Sequence, residues 1–513
     1  MNRDRLLAEA RRHYDLGALD AAREACRRIL HEHPADADAL TLMAAIEADE
    51  RRTEEGLRWA RLAAAADPAA PGPHYVMGRL CQDDGRLADA EAHYRRSLVI
   101  KPDQPKAHNN LGAVLQMQGQ LQAAVESYRR ALALDPSLAQ ANQNLASIVR
   151  DGAAAEKAIA GFQRLLQENP RDAQAHTDLG NVYRELGRHR DAIASFGRAI
   201  ECNPELSEAH FARSLELLIC GEYEEGWREY EWRWRVKALN TPPRAFPQPL
   251  WNGEARGTIL LHAEQGFGDT LLAVRYAPLV AERCEAVVLE CQPQLKRLLA
   301  GTPGVSAVYA QGEPLPRFDA HLPLMSLPRV FGTKLETIPW TGPYIRPPAP
   351  ASIPSPAPNI GLVWAGEPRQ GDDRKRSITL EMLAPLKEID GASFYSLQKG
   401  AGAAQAATPP DGMRFADLAP RIGDFADTAA FIANLDLVVT VDTSVANLAG
   451  AMGAPTWVLL SSLPDWRYHL EGDATPWYPT MRLFRQPADG DWASVIARLA
   501  RTLQSPQAFA GLR

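Results

Sequence analysis

The chain has 513 residues, 46% of them hydrophobic, enough for about two to four domains with real cores, which argues against extensive disorder. Its net charge of -7 comes from interspersed acidic and basic residues, so neither nucleic acid nor an anionic membrane is expected as the main partner. Six cysteines without a C-x-x-C pair fit a reducing cytoplasm; residues 1–16 lack a signal-peptide core and no apolar run reaches the roughly 20 residues of a membrane span, so a soluble, unexported protein is expected.

Pro34, Pro68, Pro102, Pro136, Pro170 and Pro204 recur every 34 residues. That period belongs to tetratricopeptide (TPR) repeats, pairs of antiparallel helices that bury their apolar faces only by stacking on neighbours. In phase with it, Leu111-Gly112 marks a close helix crossing, Ala124 and Ala131 supply small residues and Tyr128 a bulky one. Met77-Gly78, Ala90 and Tyr94 precede this set and Leu179-Gly180, Tyr183, Ala192, Phe196 and Ala199 follow it. The expectation is a TPR superhelix over residues 1–220, of six repeats and a partial seventh. Its sixth position reads Ala8, Leu42, Val76, Asn110, Asn144, Asp178 and Ala212. Asn110, Asn144 and Asp178 resemble the asparagine ladder of TPR-containing O-GlcNAc transferases, where side-chain amides hold a protein substrate by its backbone. A solvated face is the alternative.

The seventh unit runs into Gly226-Trp227-Arg228-Glu229-Tyr230-Glu231-Trp232-Arg233-Trp234-Arg235. Trp227, Tyr230 and Trp234 share one helical face and Trp232 points elsewhere, so this helix is expected to be buried on two sides as a cap on the solenoid. Residues 221–251 form this cap and a Pro-rich connector. A second Pro-rich stretch, 343–358, is expected to link two further domains, 252–342 and 359–513.

Both of those read as strand, turn and amphipathic helix in alternation, which predicts parallel α/β lobes. Expected strands are Thr258 to Ala263, Ala286 to Cys291, Ser306 to Ala310, Asn359 to Ala365, Ser393 to Leu397, Leu437 to Val441 and Thr456 to Leu460. Ligands bind such sheets at the carboxyl ends of strands, so the loops there matter most. Glu264-Gln265-Gly266-Phe267-Gly268-Asp269-Thr270 is no dinucleotide fingerprint, because Leu271 stands where a third glycine belongs. It leaves Asp269 near the start of a helix expected over Leu271 to Arg283, as a cap or a general base. Asp442-Thr443-Ser444-Val445-Ala446-Asn447-Leu448 opens a helix whose N-H groups suit a diphosphate, or is simply a capped helix. Trp364-Ala365-Gly366 leads into Asp372-Asp373-Arg374-Lys375-Arg376-Ser377, and Gln398-Lys399 ends a further strand. Their cations can neutralise a departing phosphate or form a solvated loop. No convincing Asp-x-Asp or His/Cys ligand set stands at these loops, Asp372-Asp373 being adjacent rather than spaced, and no metal or other cofactor is expected.

Taken together, these motifs resemble the family 9, ADP-heptose heptosyltransferase-like glycosyltransferases. They are His262-Ala263-Glu264-Gln265-Gly266-Phe267-Gly268-Asp269-Thr270, Gly361 to Gly366, Asp373-Arg374-x-Arg376-Ser377 and Asp442-Thr443-Ser444-x-Ala446-x-Leu448 to Ala451. The resemblance spans residues 221–500 and implies a GT-B fold of two Rossmann-like lobes facing a cleft. It implies Asp269 as catalytic base, with His262, Glu264, Gln265, Gly266, Gly268 and Thr270 on the acceptor side. It also implies a nucleotide-sugar held by Trp364, Gly366, Arg374, Arg376, Ser377, Gln398, Lys399, Asp442, Thr443, Ser444, Asn447 and Leu448. Asn447 stands where relatives usually have histidine. The expected function is metal-independent transfer of a sugar to a Ser/Thr hydroxyl of a protein recruited by the TPR groove, as in TPR-containing flagellin-modifying transferases. A glycolipid acceptor and a noncatalytic TPR scaffold are the alternatives.

Overall fold

The computed structural model describes residues 3–135, 138–239, 243–254, 256–353, 358–367 and 373–505. The chain divides into two compact units, Met1–Leu186 and Gly187–Arg513.

The first unit is a solenoid of helical hairpins, among them Pro71–Asp83 with Leu87–Ile100 and Pro105–Met117 with Leu121–Leu134. In these two hairpins the crossing is tight because a glycine of the first helix meets an aromatic ring of the second. A Cβ on Gly78 would lie 2.7 Å from the Tyr94 ring, and one on Gly112 2.7 Å from that of Tyr128. Both tyrosines are fully buried, and their hydroxyls donate to Gln82 and Gln116, each at 2.8 Å. The links between hairpins carry a second periodic device: the imidazoles of His108 and His176 bond the carbonyls of Pro102 and Pro170, six residues upstream. Within hairpins the turn needs one left-handed residue, supplied by Gly17, Gly85 and Gly119 and, where glycine is missing, by Arg51 at φ 59°.

The second unit opens with the hairpin of His189–Cys202 and α1 (Ser207–Ile219), then α2 (Tyr223–Tyr230) and a short 3-10 turn, Glu231–Arg235. Trp227 and Tyr230 are buried, while the Trp232 ring stacks on His210 at 3.9 Å. The aromatic run thus packs on two sides, against α1 and against Trp466 and Trp477 far along the chain. The connector reaches the first sheet, where Trp251 donates its N-H to the His321 carbonyl at 2.8 Å.

The first sheet contains β1 (Thr258–His262), β2 (Ala286–Cys291), β3 (Ala307–Ala310) and β4 (Ala320–Pro323), all parallel, in the order β3-β2-β1-β4. The second contains β5 (Asn359–Val363), β6 (Ser393–Ser396), β7 (Phe415–Asp417), β8 (Leu437–Val441), β9 (Thr456–Leu460) and β10 (Met481–Arg485). It is also parallel, in the order β10-β9-β8-β5-β6-β7. Strands β5, β8 and β9 are buried along their whole length, as parallel strands covered on both faces must be. The winding direction reverses between β1 and β4 and again between β5 and β8, and each reversal opens a crevice at the strands' carboxyl ends.

Both lobes share one apolar core that also takes in Tyr223, Trp227 and Tyr230. Arg275 pins the lobes together: its guanidinium donates to the Trp477 carbonyl and the Tyr344 hydroxyl, each at 2.9 Å, among the rings of Tyr344, Trp477 and Tyr478. The link segment is ordered where described, with Tyr344 donating its N-H to the Ala451 carbonyl; residues 354–357 of it lie outside the described residues.

Candidate functional site

The loop after β1 leads into α3 (Phe267–Ala273), which starts four residues earlier than the sequence pattern predicts. Gly266, in extended conformation, is its N-cap, so Asp269 falls in the first turn rather than before it. One carboxylate oxygen of Asp269 accepts the Gly266 N-H at 2.9 Å, completing half of a capping box. The other pairs with the guanidinium of Arg467, which stands in a 3-10 turn (Trp466–Tyr468) after β9. Capping, the alternative weighed for this residue, is therefore realised, and a role as base requires Asp269 to part from Arg467.

The start of α3 abuts the start of α6 (Ser444–Ala451), the helix after β8, which follows α4 (Pro293–Leu299) and α5 (Phe425–Ile432) in the chain. A Cβ on Gly268 would lie 3.0 Å from Asn447 Nδ2 and 3.9 Å from the Ser444 Cα, so a larger residue there would push the Asn447 amide back. Asn447 is buried and accepts from the Tyr478 hydroxyl at 3.0 Å while donating to the Thr443 carbonyl at 3.2 Å. Thr443, the N-cap residue, makes no side-chain cap; its hydroxyl faces that of Thr440 at 3.1 Å. Asp442 accepts from the Tyr468 hydroxyl at 3.0 Å. Burial raises its pKa, reinforced by Asp465 and opposed by Arg376 and Arg467. Leu448, by contrast, is fully buried in the core.

On the other side of the same crevice, the Trp364 and Ala365 N-H groups both donate to the Gln398 Oε1 at 2.9 Å, and the Gln398 amide returns to the Ala365 and Lys399 carbonyls. Gln398 is thus a fastener for the loop after β5. Gly366 donates to the Ser377 hydroxyl at 2.9 Å, and a Cβ on it would overlap Asp373, which pairs with Arg376 at 3.3 Å. The side chain of Arg374 lies outside the described residues, as does Asp372. The Lys399 ammonium donates to the carbonyls of Ala419 and Ile422 at 3.0 and 2.9 Å, an anchoring role.

The first sheet's crevice is filled by the chain itself. Arg233, 1% exposed, reaches from the turn after α2 to donate to Glu264 at 3.2 Å and to the Ser326 hydroxyl at 2.8 Å. Glu264 also accepts the Met325 N-H at 3.0 Å; burial pushes its pKa up to about 7 despite Arg233. Gln265 accepts from the Tyr230 hydroxyl at 2.8 Å, and Thr270 donates to Gln292 at 3.0 Å. His262 ends the interior strand β1 with its ring against that of His321, and burial lowers its pKa to about 3. Arg233, Arg467, Tyr468 and Asp465 were not picked out from the sequence. The one available signal was Asp465-Trp466-Arg467-Tyr468 just beyond an expected strand.

In the first unit, Asn110, Asn144 and their neighbours bond laterally: Asn144 donates to Asn109, Asn109 to Asn110, and Asn110 to the Tyr75 and Tyr94 hydroxyls. Asp178 is 3% exposed, an interior residue, and not part of an open contact line. Among the described residues no group of three or more His, Cys, Asp or Glu side chains is placed to hold a metal ion, and no helix is long and apolar enough to cross a membrane.

Comparison with known proteins bears on the repeats first. Residues 77–207 match the model of the cilia and flagella-associated protein 70 middle TPR-like domain. The repeats are TPR units. Protein FlbA of Caulobacter vibrioides is 26% identical over 327 residues, covering 57% of this chain; the chain spans about half, 54%, of that protein. Among solved structures, the chain is similar to YrrB, described as a TPR protein with an unusual peptide-binding site. YrrB is 21% identical and covered in full by 38% of this chain, at a TM-score of 0.25. A thermophilic TPR protein of Thermus thermophilus, TTC0263, is 20% identical and covered in full by 42% of the chain, also at 0.25.

Proposed function

We propose that the chain is a GT-B glycosyltransferase whose TPR repeats recruit a protein acceptor and whose β5/β8 crevice takes a nucleotide-sugar. The observation that carries this reading is the contact of α3 with α6 through Gly268 and Asn447. It brings Asp269 of one lobe beside the uncapped N-terminus and Asp442 of the other, at the topological switch point of a parallel sheet. In this reading Asp269 accepts the proton of a Ser/Thr hydroxyl, the hydroxyl oxygen bonds the sugar's anomeric carbon, and the nucleoside diphosphate departs toward the α6 dipole. The test is intact-mass spectrometry of candidate acceptors incubated with a nucleotide-sugar panel and the full chain. A gain of one sugar mass, unaffected by EDTA, is expected. Asp269→Asn should lower transfer about 10²- to 10⁴-fold with acceptor binding intact; full activity in that variant would overturn the base assignment.

A noncatalytic TPR scaffold is the second reading. It is favoured by one observation: the Lys399 ammonium and both Asp269 oxygens already have protein partners. Calorimetric titration with nucleoside diphosphates separates the two, because a scaffold need bind none.

A further inference from the structure

Arg467 is 7% exposed and lies against its neighbour Trp466, with its guanidinium 4.4 Å from the ring centroid. It is shared by carboxylates of both lobes, Asp465 at 2.8 Å and Asp269. Its Nε is buried and has no hydrogen-bond partner among the described residues, so the fork is one bond short of satisfied. The next residue, Tyr468, holds Asp442 at the start of α6, where Thr443 leaves the helix without a side-chain cap. The loop that places Arg467 is itself tied down: the Arg485 guanidinium donates to the carbonyls of Tyr468, His469, Glu471 and Gly472. A fixed, buried cation with an open donor beside an uncapped helix N-terminus is a built receptor for a polyanion.

Resting on the transferase reading, we propose that Arg467 is the cation that receives the donor's diphosphate and that, in the empty protein, Asp269 stands in for that diphosphate. Donor binding then displaces the Asp269 carboxylate from the guanidinium and frees it for the acceptor hydroxyl. The reaction balances: the hydroxyl proton goes to Asp269, the O-C bond to the sugar forms as the bond to the diphosphate oxygen breaks, and the charge leaves on the diphosphate beside Arg467. The base is thereby masked until a donor is present, which suppresses proton abstraction in an empty site.

The experiment is calorimetric titration of ADP, GDP, UDP and CDP into the full-length wild type, Asp269→Asn and Arg467→Gln. Asparagine can still cap α3 but no longer competes as an anion, so Asp269→Asn should bind the preferred diphosphate about threefold tighter or more. Arg467→Gln should bind it roughly tenfold more weakly or worse. A purely structural Arg467-Asp269 pair gives no tightening in Asp269→Asn, and that result overturns the proposal while leaving the transferase reading intact. Equal binding by a folded Arg467→Gln does the same. Should Arg467→Gln fail to fold, as judged by circular dichroism, the Asp269→Asn arm decides alone. Binding of none of the four by the wild type overturns the transferase reading and this proposal with it.

Discussion

The two units bury polar groups in different ways. In the solenoid the interior is apolar and regular; of its buried polar residues Ser97, Asn109, Thr177 and Asn181 are neutral, while the carboxylate of Glu47 pairs with the half-exposed Arg52 and that of Asp178 accepts a hydrogen bond from Gln174 at 3.1 Å. At the strand ends of the second unit charge is buried in opposed pairs, Arg233 with Glu264 and Arg467 with Asp269 and Asp465. Regular stacking makes each repeat polar group replaceable by a neutral one, whereas a buried pair holds only while both members remain. The solenoid's buried Glu47 meets a half-exposed guanidinium, that of Arg52, whereas Arg233 and Glu264 at the strand ends are both withdrawn from water.

The sharpest way to break that contrast is to remove one member of a pair. Arg233→Met leaves Glu264 buried with only the Met325 N-H, and should cost about 3–5 kcal/mol of second-unit stability in urea unfolding at pH 8. Adding Glu264→Gln should recover most of the loss, because two uncharged groups replace the pair. Because this crevice is filled by the chain's own Arg233, the double variant should keep wild-type nucleoside diphosphate affinity. A large fall in that affinity would show that the first crevice also serves the ligand.

Removing a charge from the solenoid should act with the opposite sign. Burial raises the Asp178 pKa to about 7, opposed by Arg129 and Gln174 and assisted by Glu126 and Asp172. The folded pKa lies above the unfolded one. Below pH of about 4 both states are protonated and nothing is lost; as pH rises toward 7 the native state binds the extra proton, so stability falls, and above 7 the full penalty applies. Asp178→Asn should therefore be neutral at pH 4 and stabilise the full chain by about 1–3 kcal/mol at pH 8. Destabilisation at pH 8 would mean that Arg129 depends on the carboxylate, as Arg233 does on Glu264.

What was legible in the sequence follows the same division. Repeat phase, the close Gly-Tyr crossings and seven strands were readable to within two residues because each depends on local periodicity. Strands β4, β7 and β10 were not. The first two have four and three residues, and β10 carries Arg482 and Arg485 among its apolar residues as an edge strand can. The loops after β1, β5 and β8 were found because glycines and caps mark strand ends. Their partners were not, since Arg467 is 198 residues from Asp269 and nothing local announces the pairing. Lys399 illustrates the converse: a cation at the right sheet edge whose ammonium turns to backbone carbonyls instead.

The smallest predicted effect tests whether the solenoid's regularity is itself the stabilising principle. Helix Ala37–Asp49 ends with the Arg51 N-H on the Ala48 carbonyl and the Arg52 N-H on that of Glu47, at 3.0 and 2.9 Å. Gly85 and Arg86 make the same pair of bonds one repeat later, to Gln82 and Cys81, so the turn is identical and only the residue differs. A left-handed conformation costs a residue with a Cβ about 1–2 kcal/mol, part of which glycine returns through its freer unfolded chain. Arg51→Gly should thus stabilise the chain by roughly 0.5–1 kcal/mol, read as a small rise in the urea midpoint with an unchanged slope. A loss instead would mean that the exposed Arg51 side chain contributes more than the strain it imposes. Arg51 would then act with its neighbour Arg52, whose guanidinium pairs with Glu47 and Glu50 at the same turn.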